Sequence, residues 1–152
     1  MREVIDVPEA RRQDKSLDML LTLRKQRVDR FEQELRVARA AWRDQRAVLR
    51  DVKERRRKAL QEAKGYWQEA RTGFLSMATT SGEYRRAKAV YERMKETAAQ
   101  LYLECLEEVG QCKSSRAAVF EAHKRLMDGQ RQHEKLGMLC DEIRILNHQS
   151  ET

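Results

Sequence analysis

The chain has 152 residues, enough for one domain, but 38% of them are charged and 6% are aromatic, with 6 glycines and 1 proline. This is the composition of a coiled coil, and two helices joined along a narrow apolar line build no pocket, which argues against an active-site cleft. The net charge of +7 lies in one half: residues 1–76 hold 20 Lys and Arg against 13 Asp and Glu, and residues 77–152 hold 12 of each. Such asymmetry favours an acidic partner, whether protein, nucleic acid or anionic lipid.

The first ten residues carry Glu3, Asp6 and Glu9 and no apolar run, so they predict neither a signal peptide nor a transit peptide. No stretch approaches the roughly 20 apolar residues needed to span a bilayer. We therefore expect a cytoplasmic protein without membrane insertion.

The first predicted helix covers about residues 8–75. Two starts are possible: Asp6 or Val7 as a cap with Pro8 in the first turn, or Ser16 as a cap. Within this helix the apolar residues recur every 3.5 residues, which is the signature of a helix that needs a partner helix. Only Arg24, Gln45, Arg56 and Gly73 interrupt a seam made of Leu17, Leu21, Arg24, Val28, Phe31, Leu35, Ala38, Trp42, Gln45, Leu49, Val52, Arg56, Ala59, Ala63, Tyr66, Ala70 and Gly73.

The outer faces of the first helix carry acids followed four residues later by a base. Such pairs stabilise a helix by a few tenths of a kcal/mol each, roughly 0.2–0.5. The pairs are Glu32 with Arg36, Asp51 with Arg55, and Glu54 with Lys58.

Small and β-branched residues at about 76–81 predict a turn. Thr80 and Glu83 have the spacing of a capping box, so a second helix is expected over about residues 82–147, with a frayed end after Asn147. Its seam is Tyr84, Ala87, Tyr91, Met94, Ala98, Leu101, Cys105, Glu108, Cys112, Ser115, Val119, Ala122, Leu126, Gly129, His133, Leu136, Cys140, Ile143 and Asn147.

The two helices have nearly equal lengths, and each has one apolar seam to cover. The prediction is therefore an all-α fold, a long antiparallel two-helix coiled-coil hairpin that forms a single domain over residues 1–152. Polar or small residues interrupt the second seam at Glu108, Ser115, Gly129 and His133. They predict looser packing toward the open end of the hairpin.

The three cysteines, Cys105, Cys112 and Cys140, are separated by 7 and 28 residues, so all share one seam position. We interpret them as small buried hydrophobes, because a heptad spacing does not suit metal chelation. The three histidines are scattered, and no phosphate-binding glycine loop occurs. We predict no catalytic, cofactor-binding or metal site and no enzyme activity.

Arginine recurs every three or four residues along the first helix, beginning at Arg24, Arg27 and Arg30. This spacing predicts a basic stripe that winds with the helix, and a solvated charged face is the simple alternative. Its other members are Arg36, Arg39, Arg43, Arg46 and Arg50. The run from Arg55 to Lys58 points all round the helix and has no aromatic platform beside it, so no nucleic-acid partner is predicted.

Five of the nine aromatic residues lie close to the predicted turn. Seam packing accounts for Tyr66, Tyr84 and Tyr91, whereas Trp67 and Phe74 are off the seam and are expected to be exposed. Exposed aromatic side chains are typical of docking surfaces, so a protein-binding site near the turn is predicted.

The segment Leu20-Leu21-x-Leu23-Arg24-x-x-Arg27-x-x-Arg30-x-Glu32-x-x-Leu35-x-x-Ala38-Arg39, followed by the aromatic end at Tyr66-Trp67, a short turn and a second long helix, resembles the YscO/SctO family. These are central-stalk proteins of bacterial type III secretion systems and are similar to flagellar FliJ. The motif-like part of the resemblance is confined to about residues 20–40, and the rest is architectural.

The resemblance implies a stalk whose two termini enter the pore of the hexameric secretion ATPase and whose turn reaches the cytoplasmic ring of the export gate. Arg24, Arg27 and Arg30 would bind the ATPase. The gate would be bound by Tyr66, Trp67, Phe74 and Tyr84. Export chaperones are a further possible partner. The alternatives are a coiled-coil scaffold or chaperone-binding protein without ATPase contact and, less favoured, a basic coiled coil that binds nucleic acid.

Overall fold

A computed structural model describes the backbone of residues 3–77 and 79–151 and the side chains of residues 15–77 and 79–150. Two helices, α1 (Glu3–Leu75) and α2 (Ser81–Glu151), pack against each other as a hairpin, and the described residues contain no strand. The predicted all-α hairpin is confirmed.

The ends of the helices differ from the prediction in two places. The backbone of α1 is helical from Glu3, several residues before the expected start, and Ser16 lies inside the helix rather than at a cap. The proposed caps Asp6 and Val7 lie outside the described side chains. At the other end α2 continues past Asn147, where the Ser150 hydroxyl donates to the Asn147 carbonyl oxygen at 2.8 Å.

The predicted seams are confirmed on both helices. Every predicted seam residue is buried or half-buried, because a 3.5-residue repeat keeps these side chains facing the partner helix. The most deeply buried side chains are Val52 and Cys140, at 1% and 0% exposure. All three cysteines are free thiols in buried or half-buried positions, as expected for small seam hydrophobes.

The chain divides into two compact units. The first comprises residues 1–40 and 117–152, and the second comprises residues 41–116. Because each unit contains a segment of both helices, each has its own set of seam contacts.

The first unit contains a buried apolar cluster in the part of the α2 seam where looser packing was predicted. Its members are Val28, Leu35, Ala122 and Leu126, with Phe31, Ala38 and Val119 packed against them. Gly129 explains the difference: a Cβ atom there would lie 2.9 Å from the Phe31 Cδ2 atom. The glycine leaves space for the aromatic ring, so the interruption of the seam is a fitted contact and not a defect.

The second unit contains a polar layer in its seam. The Gln45 amide donates a short hydrogen bond to the Glu108 carboxylate, and both side chains are half-buried. A paired polar layer within an apolar seam favours one register over shifted alternatives, because any slip leaves the two groups without partners.

This layer yields a stability prediction. Gln45→Leu alone or Glu108→Leu alone should each destabilise the fold by about 1–3 kcal/mol, because one half-buried polar group loses its partner. The double substitution should be close to neutral or stabilising, as for other buried polar pairs replaced by apolar residues. A double-mutant cycle in urea measures the difference, and additive single effects would show that the two side chains are not coupled.

The turn begins where α1 ends. The Ser76 N–H donates to the Thr72 carbonyl at 3.0 Å, and Met77 takes up a left-handed backbone conformation with φ of 57°. The Thr80 hydroxyl then accepts from the Glu83 N–H at 3.2 Å. Thr80 therefore caps α2 as the capping-box spacing predicted.

Two of the three predicted surface ion pairs on α1 are present. Arg36 lies 3.9 Å from Glu32, and Arg55 lies 3.3 Å from Asp51. The third prediction is wrong, because the Glu54 carboxylate pairs with Arg57, three residues on, rather than with Lys58. Arg57 donates to it through Nη2 at 2.6 Å and through Nε at 2.9 Å.

The hydrogen bonds from Arg57 lower the pKa of Glu54 below its usual value, with smaller contributions from the charges of Arg57 and Lys58. The stabilising effect of this lowered pKa is present above the unfolded-state pKa and is lost as the pH falls through the folded-state value. Arg57→Gln should therefore raise the pKa of Glu54, as followed by NMR titration of its side-chain carboxyl carbon. Arg43→Gln, two heptads away, should leave it unchanged; an equal rise in both variants would contradict the assignment.

Candidate functional site

The structure brings Arg24, Arg27 and Arg30 onto one side of α1 in the first unit. Arg24 is half-buried in the seam, and its Nη1 atom donates to the Gln132 Oε1 atom on α2 at 2.7 Å. Arg27 and Arg30 are exposed, with the Arg30 Nε atom 3.8 Å from the Glu34 carboxylate. One guanidinium is thus held by α2, whereas Arg27 and Arg30 present their side chains to solvent.

Apolar side chains accompany these arginines. Leu23, Gln26, Arg27 and Arg30 line a shallow depression on the surface of α1. Leu23 is exposed, and so are Met19 and Leu20 on the preceding turn of α1. Exposed guanidinium groups are frequent at protein-binding surfaces, where arginine is among the residues that contribute most of the binding energy.

The predicted single arginine stripe is wrong. Relative to the seam, Arg24, Arg27 and Arg30 lie on the flank of α1 that faces Gln132, whereas Arg36 and Arg39 lie on the opposite flank. The reason is that Arg36 follows Arg30 by six residues rather than by three or four, so the later arginines lie on the other side of the seam. The basic residues therefore form separate surfaces.

The second unit contains an aromatic cluster near the turn. Trp67 stacks on Tyr91 with ring centroids 4.9 Å apart, and it also contacts Tyr84 at 5.6 Å. Phe74 lies 4.4 Å from the same tyrosine ring. Each such ring pair is worth about 0.5–1.5 kcal/mol beyond the burial of its area, so the cluster fastens α1 to α2 just before the chain turns.

The cluster corrects one expectation and confirms another. Trp67 was expected to be exposed but is half-buried, because its position beside the seam lets the indole ring cover Tyr91. Phe74 is exposed as expected, at 42%. Tyr66 is half-buried on the seam. Of the four aromatic residues assigned to docking by resemblance, Phe74 is the one with an exposed side chain.

Sequence reasoning missed two exposed apolar residues at the end of α1 and the start of the turn. Leu75 and Met77 are 76% and 91% exposed, and they follow Phe74 directly along the chain. The sequence did indicate this exposure, because apolar residues at the turn between two charged helices have no partner surface to pack against. Phe74, Leu75 and Met77 together form the turn patch.

Neither a metal site nor a membrane span is found among the residues that the structure describes. Within those residues, no group of three or more His, Cys, Asp or Glu side chains could hold a metal ion. The described helices also include none that is both long enough and apolar enough to cross a membrane.

Comparisons with protein-family models, with curated proteins and with solved structures give no match for this chain. The arrangement of its own side chains is therefore the basis for a functional assignment.

Proposed function

We propose that the chain is the central stalk of a bacterial type III secretion ATPase complex. In this role it binds and activates the hexameric ATPase and links it to the export gate. It would act in the cytoplasm, at the periphery of the inner-membrane secretion apparatus. The proposal combines the resemblance of residues 20–40 to the YscO/SctO family with the two-helix hairpin of the structure.

The observation that carries the proposal is the surface formed by Arg24, Arg27 and Arg30. Two exposed guanidinium groups beside exposed Leu23 offer bidentate donors and apolar area to a partner. Acidic or polar loops in the ATPase pore would accept these hydrogen bonds. Arg24 contributes by its bond to Gln132, which keeps the two helices together at this surface.

The mechanism follows from symmetry. A two-helix hairpin has no six-fold symmetry, so it meets the six ATPase subunits unequally. If the hairpin binds one conformation of an ATPase subunit more tightly than another, it favours the nucleotide state of that conformation in the subunits it contacts. The subunits would be affected one after another.

The second contact belongs to the turn patch. Phe74, Leu75 and Met77 are exposed apolar side chains, and the ring cluster of Trp67 and Tyr84 supports Phe74 from behind. A rigid support lowers the conformational entropy that docking costs. We assign this patch to the export gate.

A direct test is sedimentation of the purified chain with the cognate secretion ATPase assembled as a hexamer. The proposal expects the chain to co-sediment with the hexamer at a stoichiometry below one per subunit. Absence of co-sedimentation would contradict it. Recovery of export chaperones alone from a pull-down would favour the scaffold or chaperone-binding alternative.

A further inference from the structure

A second surface lies in the middle of the hairpin, in the second unit, and the role proposed above does not use it. The neighbouring residues Arg55 and Arg56 of α1 contact α2 on opposite sides of the seam, which we call its two flanks. The Arg55 Nη2 atom lies 3.3 Å from a Glu104 carboxylate oxygen on one flank. The Arg56 guanidinium carbon lies 4.9 Å above the ring of Tyr102 on the other.

The flank that contains Tyr102 is strongly basic, and we call it the basic flank. From α1 it takes the residues one and four positions after Trp42 and Leu49 and the residue one position after Arg56. From α2 it takes the residue four positions after Ala98 and the residues one and four positions after Cys105 and Cys112. These ten positions hold seven cations, three apolar residues and no acid. They are Arg43, Arg46, Arg50, Lys53 and Arg57 on α1, and Tyr102, Leu106, Val109, Lys113 and Arg116 on α2.

The charge of the basic flank can be compared with that of the opposite flank of the same two helices. Its ten positions, between residues 44 and 58 on α1 and between residues 100 and 114 on α2, carry four acids and two cations, a charge of −2 against +7 on the basic flank. Its charged members are Asp44, Asp51, Arg55, Lys58, Glu104 and Glu107. A solvated coiled coil needs no such difference between its two flanks, since mixed charges serve solubility equally well.

The basic flank has an internal order. All five α1 positions are cations, and the three apolar residues all lie on α2, where Tyr102 and Leu106 are 46% and 51% exposed and Val109 is half-buried. A row of cations therefore runs beside a shorter apolar row. The cations follow one another at three or four residues, which is about 5–6 Å between neighbours along a helix.

Two of the side chains are held in place by contacts within the chain. The Arg46 guanidinium carbon lies 4.2 Å above the Trp42 ring, and Arg56 lies over Tyr102. Cation–π contacts of this kind are worth about 0.5–1 kcal/mol at exposed sites. They reduce the side-chain freedom that a partner would have to restrict.

We infer that the basic flank binds an acidic amphipathic helix of another protein. Such a helix would run along the flank for about four turns, with its carboxylates facing Arg43, Arg46, Arg50 and Lys53 on α1. Its apolar side chains would cover Leu106, Val109 and the exposed part of Tyr102 on α2. Arg57 already pairs with Glu54 and would contribute less. Acids repeated every three or four residues on the partner match the spacing of the cations. The result is a third helix packed beside the two existing ones.

The chemistry of the flank favours this occupant over other anionic partners. Phosphates would use the arginines but would leave Leu106 and Val109 uncovered, and Tyr102 is the one aromatic residue among the ten positions, whereas a stacking platform for successive bases uses several. A membrane surface would need an apolar row as long as the basic one. A second copy of this chain offers a flank with a charge of only −2.

The inference does not depend on the secretion proposal, because its residues lie in the second unit while Arg24, Arg27 and Arg30 lie in the first. Failure of one therefore leaves the other intact.

The test uses the full chain and a labelled helical peptide of about 20 residues, with glutamate along one row and leucine along the neighbouring row. Fluorescence anisotropy measures its binding. A peptide of the same composition in scrambled order, a 20-base-pair DNA duplex and phosphatidylserine vesicles serve as competing probes. We expect saturable binding of the ordered peptide and at least tenfold weaker binding of the other three.

Matched variants locate the site. Arg43→Glu, Arg50→Glu and Lys53→Glu together should weaken peptide binding at least tenfold. Lys58→Glu, Arg86→Glu and Arg93→Glu together make the same change of charge off the flank and should change it less than twofold. Leu106→Ser should weaken binding several-fold, whereas Leu103→Ser, on the outward side of α2, should not. Circular dichroism checks that all variants stay helical.

Several results would overturn the inference. These are no binding of the ordered peptide, equal binding of the scrambled one, or equal losses in the two charge variants. Tighter binding of the DNA duplex or the vesicles, with the same loss in the first charge variant, would instead assign the flank to nucleic acid or membrane. Dimerisation of the chain through this flank in sedimentation would assign it to a second copy.

Discussion

Gly129→Leu should destabilise the hairpin by about 3 kcal/mol or more, through overpacking against Phe31 in the first unit. The Cβ atom of any residue at this position would lie 2.9 Å from Phe31 Cδ2 and 3.1 Å from Cε2. The ring cannot retreat easily, because it packs against the buried cluster that contains Leu35 and Leu126. A loss of this size lowers the melting temperature by about 6–12 °C for a chain of this length.

Gly110→Leu is the matched control on the same helix. Gly110 is exposed, and a Cβ atom there meets nothing within 4 Å. Leucine is a better helix former than glycine by about 0.8 kcal/mol, so this variant should melt at the same temperature or slightly higher. Equal effects of the two substitutions would show that the Phe31 contact does not exist.

Removal of the ring should partly rescue the glycine variant. Phe31→Ala alone loses aromatic packing, whereas Phe31→Ala with Gly129→Leu lets the leucine fill the space that the ring leaves. We expect the double variant to be more stable than the sum of the single effects by about 2 kcal/mol, within the usual range for residues in contact. Strictly additive changes in the free energy of unfolding would show that the two side chains do not interact.

Arg24→Glu, Arg27→Glu and Arg30→Glu together should abolish stimulation of the cognate secretion ATPase while leaving helicity intact. Each reversal replaces an attraction by a repulsion worth about 1 kcal/mol, so the apparent affinity should fall by about 100-fold or more. ATP turnover at increasing concentrations of the chain measures this change. Wild-type stimulation by this variant would refute the proposed role of the three arginines.

The control for this variant lies on the other flank of α1 in the same unit. Lys25→Glu, Arg36→Glu and Arg39→Glu together change the charge by the same amount at exposed positions. They should retain most of the stimulation. Equal loss in both variants would mean that the ATPase responds to the overall charge of the chain and not to a defined surface.

The seam positions could be predicted from the sequence because one physical rule determines them. A repeat of 3.5 residues places Val28, Leu35 and Val52 on one line, and that line is buried when a partner helix covers it. Thr80 as a cap followed from an equally local rule. The contact between Gly129 and Phe31 could not be predicted in this way, because it joins residues about 100 positions apart and depends on the pairing register of two helices.

The candidate surfaces were less predictable than the fold. The burial of Trp67 depends on which aromatic ring of α2 lies opposite, and the periodicity of α1 carries no information about that. The charge difference between the two flanks could have been read from the heptad positions, but which flank of α1 lies beside which flank of α2 is known only from contacts such as Arg55 with Glu104 and Arg56 with Tyr102. By contrast, the exposure of Leu75 and Met77 follows from the turn alone, and it was missed because the prediction for this region was confined to aromatic side chains.

Distance measurement by pulsed electron paramagnetic resonance tests the pairing of α1 with α2 most directly. Spin labels at Gln61 and Glu96 report on the second unit, in a chain whose three cysteines are replaced by alanine and which is diluted with unlabelled protein. The helix axes are about 9 Å apart, and both positions face outward, so the two labels point away from each other. The hairpin therefore predicts a distance of about 25–30 Å between labels. An unbroken helix would separate the same residues by about 52 Å, and a peak near that value would contradict the hairpin and every surface derived from it.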